Sequence, residues 1–151
     1  MAFVTDPIGI IGEEEAAKML REKKLSILER NWRIGKLEVD IIAENKKEIV
    51  FVEVKARTST YGDIQPEEYV DEGKKRRIIT AANAYVKYHR VEKKIRFDII
   101  GILVNPRTME VEEKHHFENA FEPQVHTVSS GSHGGKLLWH GRKPTRPNRN
   151  R

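Results

Sequence analysis

The sequence predicts an α/β domain with a mixed central sheet flanked by helices. Three observations point to this fold. A helical period opens the chain, two β-branched runs follow across a short polar connection, and a capped second helix leads into another strand-like run. The chain has 151 residues, enough to bury one sizeable core without staples. There is no cysteine, which excludes a disulfide framework, a thiolate zinc site and a cysteine nucleophile. Hydrophobic residues make up 38% and charged residues 34%, a polar but globular balance.

The elements follow in order. Gly9 to Lys24 reads as a helix whose apolar stripe runs through Ala16, Ala17 and Leu20, with Glu13 on the same stripe. Leu25 to Arg33 is a weaker strand, and Gly35 marks a turn. Leu37 to Ala43 alternates: Leu37, Val39 and Ile41 face one way, Glu38, Asp40 and Ile42 the other. Ile49 to Arg57 is the next strand, with Val50, Val52 and Val54 opposed to Phe51, Glu53 and Lys55. A loop with Gly62 and Pro66 leads to Asp71, a cap for a helix running to His89. Lys74, Lys75, Arg76 and Arg77 crowd its first turns, against the helix dipole, which hints at an anionic partner. Ile95 to Val104 forms a strand, Asn105-Pro106-Arg107 a turn, and Met109 to Lys114 a last strand. The paired His115 and His116 are expected at a strand end on the surface. Asp98 is expected to be structural, satisfied by backbone, Arg96 or Arg33.

The net charge of +5 is uneven. Residues 123–151 hold six bases and no acid, so they are read as a flexible basic tail suited to a polyanion such as nucleic acid. Residues 1–122 form the folded domain and are close to neutral. No signal peptide and no run long enough to span a bilayer is visible, so a cytoplasmic protein that avoids membranes is expected.

Chemistry concentrates in Asp40 and Glu53-Val54-Lys55. If the two strands pair as an antiparallel hairpin around Asn45 to Glu48, Asp40 lies opposite Glu53 and Glu38 opposite Lys55, all on one face. Two carboxylates are hard ligands for magnesium, which polarises a phosphodiester and activates water, while a neighbouring lysine stabilises developing charge. Glu13 is a third candidate carboxylate. The competing reading is a solvent-exposed ion-pair ladder. Against it, Phe51 and Ile42 flank the charges, and both acids interrupt apolar strands.

Gly9-Ile10-Ile11-Gly12-Glu13-Glu14-Glu15-Ala16, Arg30-Asn31-Trp32-Arg33, Glu38-Val39-Asp40-Ile41-Ile42-Ala43, Phe51-Val52-Glu53-Val54-Lys55-Ala56-Arg57, Arg96-Phe97-Asp98 and Glu118-Asn119-Ala120-Phe121 occur in that order. Over about residues 9–121 the chain resembles the YraN family, bacterial proteins related to archaeal Holliday junction resolvases. The resemblance implies a restriction-endonuclease-like fold of the PD-(D/E)xK nuclease superfamily, in the order α-β-β-β-α-β. It implies a magnesium-dependent nuclease acting on DNA, with manganese as a substitute metal. Glu13, Asp40, Glu53 and Lys55 would be catalytic, and Asp40, Glu53 and Glu13 metal-binding. Lys74 falls where the family's second helix begins with a lysine. Expected nucleic-acid contacts are Lys74, Lys75, Arg57 and the loop residue Tyr61. Leu37 replaces a frequent glycine and Ala56 a usual threonine. The alternative is a nucleic-acid-binding module of the same fold without catalysis. A homodimer is compatible with the sequence.

Overall fold

The computed structural model describes residues 6–58 and 70–123. Tyr61, most of its loop and residues 124–151, nearly all of the basic tail, lie outside the described residues. The elements are α1 (Pro7–Glu22), β1 (Ser26–Ile34), β2 (Leu37–Glu44), β3 (Glu48–Thr58), α2 (Glu72–His89), β4 (Lys94–Val104) and β5 (Val111–Phe117). The five strands form one mixed sheet in the order β1-β2-β3-β4-β5. Among the described residues only β3 and β4 pair in parallel, as the helical crossover through α2 allows.

α1 starts two residues earlier than the periodicity suggests. Asp6 is the N-cap, its Oδ1 accepting from the Ile8 N–H at 3.1 Å, and Pro7 takes the first helical position. Lys24, at φ 68°, ends the helix. Asp71 caps α2 as expected, accepting from the Lys74 N–H at 2.8 Å. β1 and β2 turn tightly through Gly35, whose φ of 60° suits the first position of a two-residue hairpin loop. Between β2 and β3, the Asn45 Oδ1 accepts from the Lys47 and Glu48 N–H groups, each at 2.8 Å.

The helices cover opposite faces. α1 buries Ala16, Ala17, Met19 and Leu20 against Ile41, Ala43, Val50, Val52, Ile100 and Ile102. α2 buries Ile78, Ala81, Ala82, Tyr85 and Val86 against Val39, Ile42, Ile49, Phe51, Phe97 and Ile99.

Three expectations about the strands need correction. Leu37 and Val39 do not share a face with Ile41: they pack on the α2 side, Ile41 on the α1 side. The alternation resets between Val39 and Ile41, where β1 holds left-handed Asn31 between the pairs Arg30–Ile41 and Trp32–Val39. β5 begins later than Met109, because the Asn105 turn continues to Glu110. There Met109 takes φ 62°, and the Asn105 N–H donates to the Glu110 carbonyl at 2.8 Å. That offset carries His115 and His116 into the strand; His115 stays exposed, as expected, while the His116 side chain, 4% exposed, turns inward. Its Nε2 lies 2.8 Å from Asp98 Oδ2 and its Nδ1 2.9 Å from Lys23 Nζ. Both bonds form when Nε2–H donates to Asp98 and Nδ1 accepts from Lys23.

Asp98 is structural, as expected. It is fully buried, receives two bonds from Arg96 and one from the Asn119 N–H, each at 2.9 Å, and its other partner is His116. Arg33 pairs instead with Glu38.

Candidate functional site

The β2–β3 hairpin has the register the sequence suggests. Ile41 lies opposite Val52 and Ile42 opposite Phe51. The ladder ends there, one step before Asp40 and Glu53, so the expected opposition of Glu38 and Lys55 falls beyond it. At that step a side chain replaces the main chain: Asp40 Oδ2 accepts from the Val54 N–H at 2.8 Å. The carboxylate is wedged where the two strands separate.

Glu53 is only 4% exposed and faces α2, in line with Phe51. Its neighbour there is Lys74, from the first turns of α2, with Nζ 3.6 Å from Glu53 Oε2. Lys55, half-buried and next along the same face, adds a second positive charge that Glu53 feels.

The electrostatics follow from this crowding. Burial, and then the charge of Glu53, push the Asp40 carboxyl up to about 8, against the stabilising bond from Val54. Burial also raises Glu53 above the usual carboxylate range, although Lys74 and then Lys55 pull it back, and a hydrogen bond with the Asp40 carboxyl adds to that pull. Two acids share one partly dehydrated space and cannot comfortably ionise together. A cation between them would relieve both.

Glu13 stands near this pair without joining it closely. Its charge is felt at Asp40, while Oε1 accepts from Asn31 Nδ2 at 3.3 Å. Among the described residues no three His, Cys, Asp or Glu side chains are arranged to hold a metal ion. A divalent cation here would rest on Asp40 and Glu53 and complete its shell with water or substrate oxygens. That suits magnesium, which takes one or two carboxylates and keeps several waters.

α1 lies close to β3 at this point. A Cβ on Gly12 would fall 2.6 Å from the Ala56 Cβ, so only glycine permits the approach that brings Glu13 to the strand. The other glutamates of the run bind elsewhere: Glu14 to Arg30 at 2.9 Å and Glu15 to Lys114 at 2.7 Å.

The expected nucleic-acid contacts separate into distinct environments. Lys74 belongs to the carboxylate site itself. Lys75 pairs with Glu72 at 3.2 Å and lies 5.7 Å from the centre of the Phe121 ring, so it is largely engaged in packing. Arg57 follows Lys55 on β3, on the same face by alternation.

Sequence reading missed the Lys74–Glu53 contact, the Val54–Asp40 bond, and the part of Asn31. A signal existed for Asn31, since asparagine is a poor strand former in the middle of a strand.

Residues 12–102 match the family model described as "Uncharacterised protein family UPF0102". A UPF0102 protein of Phocaeicola vulgatus is 43% identical over 115 residues, covering 76% of this chain and 91% of the relative. The UPF0102 protein TTE1452 of Caldanaerobacter subterraneus subsp. tengcongensis is 40% identical over 115 residues, covering 76% and 93%. A UPF0102 protein of Bacteroides thetaiotaomicron is 40% identical over 118 residues, covering 78% and 94%. With a match across most of the strands and helices just described, the chain belongs to the UPF0102 (YraN) family.

Proposed function

We propose that the protein is a metal-dependent nuclease that hydrolyses phosphodiester bonds in DNA. The observation that carries this reading is the Asp40–Glu53 pair: two carboxylates forced together at the mouth of a hairpin, both raised by burial, with two lysines beside them. An ion-pair ladder on an exposed sheet face would leave its acids solvated and not raised.

Magnesium, when bound, supplies Lewis acidity and an activated water. The chain's own groups do the rest. Asp40, oriented by the Val54 N–H, and Glu53 would hold the cation. Lys55 stabilises negative charge gathering on the phosphoryl oxygens. Lys74, 3.6 Å from Glu53, would stand beside a bound cation as a positive charge for a phosphate oxygen. The cationic start of α2, with Arg76 and Arg77 exposed, attracts the backbone of the polyanion.

The test is a cleavage screen on single-stranded, duplex, flap and four-way-junction DNA, and on RNA, with magnesium, manganese or EDTA. Metal-dependent cleavage of DNA that Asp40→Asn abolishes is the expected result. Lys55→Ala should keep metal binding yet cut about 10²–10³-fold more slowly, the loss typical of one preorganised donor. A wild-type protein that cuts no substrate, or variants that cut as fast as it does, would overturn the nuclease reading. Binding without cleavage would favour a non-catalytic nucleic-acid module.

A further inference from the structure

Asn31 has a left-handed backbone, φ 52°, inside β1 rather than in a loop. A non-glycine residue in this region is uncommon, and asparagine tolerates it best. After a bulge between Ile27 and Glu29, one register holds to the end of the strand: Arg30 lies opposite Ile41, and Trp32 opposite Val39. Asn31 and Asp40 stand between these two pairs.

Side-chain direction changes at that point. Arg30 reaches α1, where it bonds Glu14 at 2.9 Å. Asn31 also reaches α1, where its Nδ2 donates to Glu13 Oε1 at 3.3 Å. Two consecutive residues of a regular strand cannot point to one side; the left-handed residue makes it possible. Trp32 then packs on the α2 side, its ring 5.0 Å from that of Tyr85. β2 turns over in step, with Ile41 on the α1 side and Val39 on the α2 side. Asp40 sits at the turnover, where the β2–β3 ladder stops and its carboxylate takes the Val54 N–H.

We propose that Asn31 is a positioning residue for the Asp40–Glu53 site: its carboxamide holds Glu13 toward the pair, and its backbone sets the turnover that presents Asp40. This rests on the metal-site reading above. The residue type fits the double task. Glycine would supply the backbone without the amide, aspartate the backbone with a charge that repels Glu13, and glutamine the amide on a backbone that resists the turn.

The experiment is a double-mutant cycle on the full chain, reading the Mn2+ dissociation constant by calorimetry and the urea midpoint in parallel. Asn31→Gly should keep the urea midpoint and weaken Mn2+ binding about 10-fold, the lower end for loss of a group that orients a ligand. In a Glu13→Gln background the same substitution should change Mn2+ affinity by less than about 2-fold, because the amide acts through Glu13. Asn31→Asp, which retains the backbone preference, should bind Mn2+ more weakly through a displaced Glu13. It serves as the second variant should Asn31→Gly fold poorly. Wild-type affinity in both Asn31 variants, or an equal loss in both Glu13 backgrounds, would overturn the role of Asn31 while leaving the metal site standing. A wild-type protein that binds neither Mn2+ nor Mg2+ would overturn the metal reading and this inference together.

Discussion

At the scale of single residues, the burial of Asp40 and its crowding against Glu53 lower the protein's stability as pH rises. The Asp40 carboxyl is raised from 3.8 to about 8, so the folded state holds a proton that the unfolded chain has released. Stability is therefore highest below about 3.8 as far as this group is concerned, and falls as pH climbs toward about 8. Each unit of such a shift corresponds to about 1.4 kcal/mol. Asp40→Asn keeps an oxygen for the Val54 N–H and removes the charge. In EDTA at pH 8 it should unfold at higher urea than wild type, and its stability should be nearly flat where wild type declines. A variant less stable than wild type at pH 8 would contradict the burial argument. The pairing of Asp40 with Glu53 was legible in the sequence, because the hairpin loop between them is short and polar. Lys74's attachment to Glu53 was not, because strand alternation says nothing about which helix covers a face.

At the scale of elements, the approach of α1 to β3 depends on one missing methyl group. In an open helix, replacing glycine by alanine stabilises by about 1 kcal/mol. At Gly12 the added Cβ would sit 2.6 Å from that of Ala56, and overpacking of this kind costs about 1–3 kcal/mol. Gly12→Ala should therefore lower the urea midpoint, and Ala56→Gly should restore it in the double variant. A stabilised Gly12→Ala would mean the helix stands further off. Element identities and the β2–β3 register were readable from period and loop chemistry. The reset at Asn31 and Asp40 was not, since alternation assumes an extended backbone at every residue. The beginning of β5 was misplaced for a related reason: the turn at Asn105 runs on through Met109 in a left-handed conformation that apolar residues rarely adopt.

At the scale of the whole molecule, half-buried Asp40 and fully buried Asp98 pull the pH dependence in opposite directions. Burial opposes ionisation of Asp98 as well, but bonds from His116 and Arg96 outweigh it and hold that carboxyl below its usual range. Its contribution is present above about 3.8 and is lost as pH falls toward its depressed value. Asp98 therefore contributes to the loss of stability in acid, and Asp40 to its decline as pH rises toward about 8. Arg96→Met removes one partner from a buried pair and should cost about 3 kcal/mol, with a shallower acid limb in urea titrations across pH. A loss under about 0.5 kcal/mol, the ordinary range for surface changes, would show that His116 and the Asn119 N–H suffice. The sequence identified Asp98 as structural, but the displaced β5 hid His116, the partner that completes it.

The β2–β3 hairpin also has a consequence for how fast the chain folds. It is the most local pairing between central strands, closed by a side-chain-stabilised turn at Asn45, whereas β4 must wait for the long crossover through α2. Local contacts form early and non-local ones late. The hairpin therefore brings Asp40 and Glu53 together before α2 delivers Lys74 to neutralise them, so like-charge repulsion falls on the transition state. Refolding in EDTA, followed by stopped-flow fluorescence of Trp32 against Tyr85, should be slower at pH 8 than at pH 5. Asp40→Asn should remove most of that difference. Equal refolding rates for the wild type at the two pH values would mean that the carboxylates meet only after the barrier has been crossed.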